Sequence, residues 1–128
     1  MKRSIIVTLM FLTITGMVWG QKKGKAVTIV GEVVETQCYI TGATGPGKGE
    51  SHKDCALKCA SAGIPLSILE DKTGTVYLAG QSKTAMTGAN KMLMEFVAQQ
   101  VKVTGRIFEK GGLKLLMIDS IAKADAKK

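Results

Sequence analysis

Apolar and polar residues alternate along residues 26–35, where β-branched side chains predominate. A period of two places successive side chains on opposite faces of a sheet, so this segment predicts a long strand with one buried face. Gly31 interrupts the run and predicts a bulge or bend. Beyond Tyr39 the pattern stops, and the glycine-rich stretch 42–49 predicts an irregular, flexible loop.

The next segment has the start and stop signals of a helix. Ser51 is a suitable N-cap and Asp54 follows three residues later, an arrangement that resembles a capping box. Gly63 followed by Pro65 predicts where the helix ends. We therefore expect a helix of about eleven residues after the glycine-rich loop.

Two hairpins and a second helix are predicted in the C-terminal half. The strands are expected at 66–69 and 75–79 for the first hairpin, and at 101–109 and 113–118 for the second. Between the hairpins, residues 90–100 carry apolar side chains at helical spacing and predict a second short helix.

The resulting order of elements is that of an OB-fold barrel, in which five short strands close on themselves. We therefore expect a mainly β chain with two short helices: a five-stranded, OB-fold-like barrel with a helix inserted between strands 1 and 2. The inserted helix occupies one of the loops that this fold uses for binding, where function can be added without disturbing the core.

The first twenty residues have the composition of a secretory signal peptide. Two basic residues precede an apolar run over 5–17, and small residues near Gly20 suit cleavage before Gln21. The run is too short for a spanning helix, which needs roughly 20 apolar residues. We expect an exported protein, either periplasmic or secreted, without a membrane span. The expected segments are a signal peptide (1–20), a basic tail (21–25), an OB-fold-like domain (26–122) and a second basic tail (123–128).

The chain has a formal net charge of +8, but the charge is unevenly distributed. The body from 26 to 122 contains ten Lys or Arg against nine Asp or Glu, so it is nearly neutral. The excess positive charge lies in the leader and the two tails. A nucleic-acid module normally carries a basic stripe on its folded face, so this distribution argues against a nucleic-acid partner.

All three cysteines and the only histidine fall between residues 38 and 59. In a helix, His52, Cys55 and Cys59 stand at i, i+3 and i+7, so their side chains project within one narrow stripe. Cys38 would then arrive from the end of the first strand as a fourth ligand. Tyr39, beside it, is a candidate to shield the site or to hydrogen-bond a ligand.

Together with Gly63-Ile-Pro65 and the closing segments 103–105 and 111–114, the Cys-Tyr and His-x₂-Cys-x₃-Cys motifs resemble a family of small exported bacterial OB-fold-like domains. The resemblance covers nearly all of the chain after residue 20. It implies the fold and the export, and it supplies no catalytic residues.

Thiolates and imidazole are ligands that zinc and copper(I) prefer, and a Cys₃His set satisfies a four-coordinate zinc site. The leading hypothesis is therefore an exported binding protein that holds zinc or copper(I) through Cys38, His52, Cys55 and Cys59. Its expected partners are the ion and, as a further candidate, another exported protein.

Two alternatives remain open. An oxidising compartment favours disulfides, so Cys38 could pair with Cys55 or Cys59 in a thiol redox or disulfide-stabilised domain. Alternatively, the barrel face could bind an oligonucleotide or oligosaccharide, although few aromatic residues are present for stacking. An enzyme is not expected, because there is no second histidine and the acidic residues are scattered.

Overall fold

The computed structural model describes residues 23–81 and 88–125. The predicted signal peptide (1–20) and parts of both basic tails (21–22 and 126–128) therefore lie outside the described residues. The described chain folds as follows: β1 (Lys25–Glu35), α1 (Thr36–Thr41), a 3₁₀ turn (Glu50–His52), α2 (Lys53–Ser61), β2 (Leu66–Glu70), β3 (Val76–Gln81), α3 (Asn90–Leu93), a 3₁₀ turn (Met94–Phe96), β4 (Gln100–Lys110) and β5 (Leu113–Lys123).

The five strands close into a barrel in the order β1-β2-β3-β5-β4. All neighbours are antiparallel except β3 and β5, which run parallel. The predicted OB-fold-like barrel is thereby confirmed, with α2 inserted between β1 and β2. One short helix more than predicted is present, because α1 follows β1 directly. Strands β1 and β5 each extend one residue beyond the predicted body of the domain.

The alternating phase of β1 supplies one wall of the core. Its N-terminal half pairs with β4 and its C-terminal half pairs with β2, so one long strand joins both sides of the barrel. Ile29 and Val33 point inward and are almost fully buried. They pack with buried residues of the other strands and of the segment before β4, which are Ile68, Leu93, Val101, Val103, Leu116 and Ile118.

Gly31 is needed for a close approach of strands. The pairing register of β1 with β4 is continuous through Gly31, so the bulge predicted there is wrong. A Cβ at this position would lie 2.1 Å from the carbonyl oxygen of Leu69, which explains why no side chain is accommodated. The register shift of the barrel occurs instead between Thr104 and Gly105.

The second predicted helix is shorter than the expected 90–100. Helix α3 and the following 3₁₀ turn end at Phe96, and Val97 is extended. The amide of Ala98 donates to the carbonyl of Val33, and the Val33 amide donates to Gln99. Because these backbone groups pair with β1, residues 97–99 are not helical and instead lead the chain into β4.

Candidate metal centre

Cys38 is placed by the end of β1 and the start of α1. The carboxylate of Glu35 is the N-cap of α1: its two oxygens accept from the amides of Gln37, at 2.6 Å, and Cys38, at 2.8 Å. At the other end, the amide of Gly42 donates to the Cys38 carbonyl in a left-handed C-cap. Cys38 therefore lies on a short helix with its backbone held on both sides, and not on the strand end as predicted.

Helix α2 carries the other two cysteines. Its alanines, Ala56 and Ala60, are buried against the barrel, whereas Cys55 and Cys59 are half-buried. The helix ends as predicted at Gly63, where φ is +99°. There the amide of Gly63 bonds to the carbonyl of Ala60, and the next amide bonds to Cys59, which is the pairing of a Schellman motif.

The predicted capping box at the start of α2 is wrong. The helix begins at Lys53 with His52 in the N-cap position, and no side chain caps it. Ser51 lies in the preceding 3₁₀ turn and is exposed. The tighter turn rotates His52 inward, and this imidazole is only 5% exposed.

The sulfurs of Cys38, Cys55 and Cys59 all lie within 4.8 Å of one another. All three are free thiols in this structure. Zinc bonds to sulfur are about 2.3 Å long, so sulfurs of a tetrahedral site stand roughly 3.8 Å apart. A contraction of at most about 1 Å would therefore bring the three cysteines, which we call the sulfur cluster, to the distances that one soft ion requires.

His52 belongs to an adjoining group rather than to the sulfur cluster. One ring nitrogen of His52, the sulfur of Cys38 and a carboxylate oxygen of Glu35 lie within 4.8 Å of one another, and all three residues are buried. We call this the Glu-Cys-His group. Cys38 is the residue common to both groups.

Glu35 was missed by the analysis of the sequence, although a signal for it exists. It continues the inward-facing phase of β1, two residues after Val33, and it has no exposed surface. A carboxyl group on the buried phase of a strand is expensive unless it is hydrogen-bonded or paired. Such a residue next to Cys38 is therefore a candidate for chemistry, which the alternation alone could have shown.

The imidazole of His52 is only partly satisfied. Its Nδ1 lies 3.5 Å from the hydroxyl oxygen of Thr44, and its Nε2 has no hydrogen-bond partner among the described residues. A buried polar atom without a partner costs about 1–3 kcal/mol. An ion bound by this nitrogen would remove that cost.

The glycine-rich loop covers the site. It is irregular, as predicted, and Thr44 reaches from it to Cys55, whose thiol donates to the threonine hydroxyl at 4.0 Å. The loop is held at two points. Gly47 packs on the backbone of Tyr39, where a Cβ would stand 2.5 Å from the Tyr39 Cα, and the Gly49 amide donates to Glu32.

Two of the thiols have raised pKa values. A hydrogen bond to Glu35, together with burial, raises the pKa of Cys38 to about 12. Burial and the neighbouring Cys55 raise the pKa of Cys59. These thiols are therefore protonated at neutral pH in the ion-free protein. A coordinated cation reverses this balance, because it stabilises the thiolate directly.

Tyr39 lines a cleft of about 300 Å³ beside Leu69 and Asp71. Within the described part of the chain it makes no hydrogen bond to the cysteines or to His52.

Comparisons with known proteins add no relative: no family model matches the chain, and neither the curated proteins nor the solved structures contain a significant match. Within residues 23–81 and 88–125, no helix has the length and apolar character needed to cross a bilayer. The function must therefore be argued from the geometry of the two groups.

Proposed function

We propose that this protein is an exported metal-binding protein whose ion is held by the sulfur cluster. His52 adjoins this cluster, because one of its ring nitrogens lies within 4.8 Å of the Cys38 sulfur. The observation that supports it is the convergence of three free thiols, from two separate helices, to within 4.8 Å. Three sulfurs favour a soft ion, so zinc and copper(I) are the candidates.

The surroundings of the cluster suit an ion that can enter. Cys55 and Cys59 are half-buried, whereas Cys38 is buried behind them, so the cluster has an open side and a closed side. The loop that carries Thr44 contacts Cys55 on the open side. The pattern of the first twenty residues supports export.

The test is elemental analysis of protein purified from its native compartment. We expect at least one equivalent of zinc or copper per chain, and one equivalent less when Cys55 and Cys59 are both changed to Ser. Ser61→Ala is the matched control, because Ser61 lies on the same helix, is exposed, and bonds only to the carbonyl of Leu57. That variant should retain the full metal content.

The intact mass of the same sample tests the predicted cleavage of the signal peptide and the oxidation state of the cysteines. Cleavage before Gln21 is the expected result for an exported chain. A metal-free protein in which every molecule carries a disulfide to Cys38 would overturn the proposal and favour the thiol redox alternative, since the three sulfurs are close enough to exchange partners.

A further inference from the structure

We infer that the protein binds two cations, one in the sulfur cluster and one in the Glu-Cys-His group, with the sulfur of Cys38 bridging them. The inference rests on the proposed metal binding and deepens it. It assigns His52 and Glu35 to a second ion instead of adding His52 to the first.

The ligand atoms fall into two groups that share Cys38. The ligand atoms of His52, Cys38 and Glu35 lie within 4.8 Å of one another. His52 does not belong to the group that Cys38 forms with Cys55 and Cys59. The imidazole therefore adjoins the sulfur cluster at Cys38. A thiolate sulfur has several lone pairs, so one sulfur can bind an ion on each side.

One ring nitrogen of His52 is left without a partner among the described residues. The Nε2 atom of His52 is buried and has no partner among the described residues, while Nδ1 faces Thr44. A metal-bound histidine usually has one nitrogen on the ion and the other held by a neighbouring group. His52 has this arrangement, with Nε2 as the atom left for the ion.

Glu35 brings a carboxylate to the Glu-Cys-His group. Glu35 is completely buried, and no Lys, Arg or His among the described residues forms an ion pair with it. Its oxygens accept two backbone amides and the Cys38 thiol, which leaves one lone pair for an ion. A cation between Glu35 and His52 compensates the buried carboxylate, which a neutral neighbour does not.

The donor set indicates the class of ion. The Glu-Cys-His group offers one oxygen, one sulfur and one nitrogen, whereas the sulfur cluster offers sulfur alone. Mixed donors of this kind suit a borderline divalent ion such as zinc, and thiolates alone suit a softer one. Zinc is accepted by both sets, so it is the appropriate probe for counting sites.

The experiment is a zinc titration of the reduced mature protein, followed by native mass spectrometry and by competition with a chelator. The unchanged protein should bind two zinc ions. His52→Asn keeps a polar atom near Thr44 but removes Nε2, and it should bind one. The affinity of His52→Asn for a second zinc ion should fall by more than about 100-fold, since even changes to groups that only support the ligands cost about 10–100-fold.

The reciprocal variants identify the bridge. Changing Cys55 and Cys59 to Ser should leave one zinc in the Glu-Cys-His group. Cys38→Ser should weaken both ions, which no other single change should do. Glu50→Gln is the matched control for Glu35→Gln. Glu50 is an exposed carboxylate near His52 that belongs to neither group, so the Glu50→Gln protein should retain two ions.

The outcomes separate this inference from the proposed function. One zinc in the unchanged protein, lost equally in His52→Asn and in the Cys55, Cys59 double variant, would mean a single Cys₃His site and would overturn the second ion alone. No zinc at all would overturn both proposals. Circular dichroism of each variant checks that it is folded, and His52→Asn leaves the Glu35 cap of α1 intact.

Discussion

At the scale of single residues, Glu35 performs three tasks. It ends β1, it caps α1 through two backbone amides, and it raises the pKa of Cys38. These tasks follow from one fully buried carboxylate at the junction of a strand and a helix. A residue of this kind couples the geometry of the barrel wall to the chemistry of the neighbouring sulfur.

Tyr77 allows a prediction about pH that does not involve the metal ligands. Burial and the nearby Glu70, which accepts the phenol hydrogen at 3.3 Å, raise the pKa of Tyr77. The neutral phenol is therefore favoured in the folded state. This stabilisation is fully present below the unfolded pKa of about 10 and is lost as the pH rises through the folded pKa.

The free energy of unfolding should consequently fall more steeply above pH 10 in the unchanged protein than in Tyr77→Phe. The difference in slope should approach, but not exceed, about 1.4 kcal/mol per pH unit, which corresponds to one proton. Urea unfolding at several pH values between 8 and 11 measures it. Parallel curves for the two proteins would show that the phenol does not contribute.

At the scale of elements, the end of α2 is joined to the rest of the fold by one amide side chain. The Nδ2 of Asn90 donates to the carbonyls of Ala60 and Ile64, and its Oδ1 accepts the amide of Leu66. These three bonds connect the last turn of α2, the start of β2 and the first residue of α3. The position of Cys59 in the last turns of α2 depends on this junction.

Asn90→Asp should destabilise the protein by about 2–4 kcal/mol. The change removes two donated hydrogen bonds, each worth about 0.5–1.5 kcal/mol, and it turns a carboxylate towards two carbonyl oxygens. Gln99→Glu is the matched control. Its amide donates one exposed bond to the carbonyl of Glu95, so a change below about 0.5 kcal/mol is expected. Chemical unfolding of both variants measures this, and equal losses would contradict the role of Asn90.

At the scale of the whole molecule, the candidate metal centre is built on a segment that the barrel does not need for closure. The ligands lie between Glu35 and Cys59, whereas the long ladders of the barrel join β1 to β4 and β4 to β5. The site thus lies beside the barrel, on the connection from β1 to β2. Its occupancy should change local order without changing the architecture.

Removal of the ion should therefore increase hydrogen exchange in α1, in the 42–49 loop and in α2, while the amides of β4 and β5 remain protected. Exchange of the metal-loaded protein is compared with and without chelator. The Cys55, Cys59 double Ser variant is the control: its α2 amides should already exchange fast and should respond less to the chelator. Equal protection with and without chelator in the unchanged protein would contradict a stabilising role of the ion.

The strands were predictable because each one is specified by residues that lie close together in the sequence. β-branched alternation and turn sequences predicted five strands and their order, and glycine with proline predicted the end of α2 at Gly63. Helix α1 was not predicted, since six residues carry too little periodicity and its cap is a glutamate from the preceding strand. The end of α3 was misplaced because Val33, distant in sequence, pairs with the backbone near Ala98.

For the site, the sequence alone determined which groups are available: three thiols and one imidazole at spacings that place Cys55 and Cys59 on one side of a helix. Only the tertiary structure decided how they are divided, because that depends on the inward turn of His52 and on the buried end of β1. Spacing along a chain limits neighbours within one helix, whereas contact between Cys38, Glu35 and His52 requires packing between separate elements.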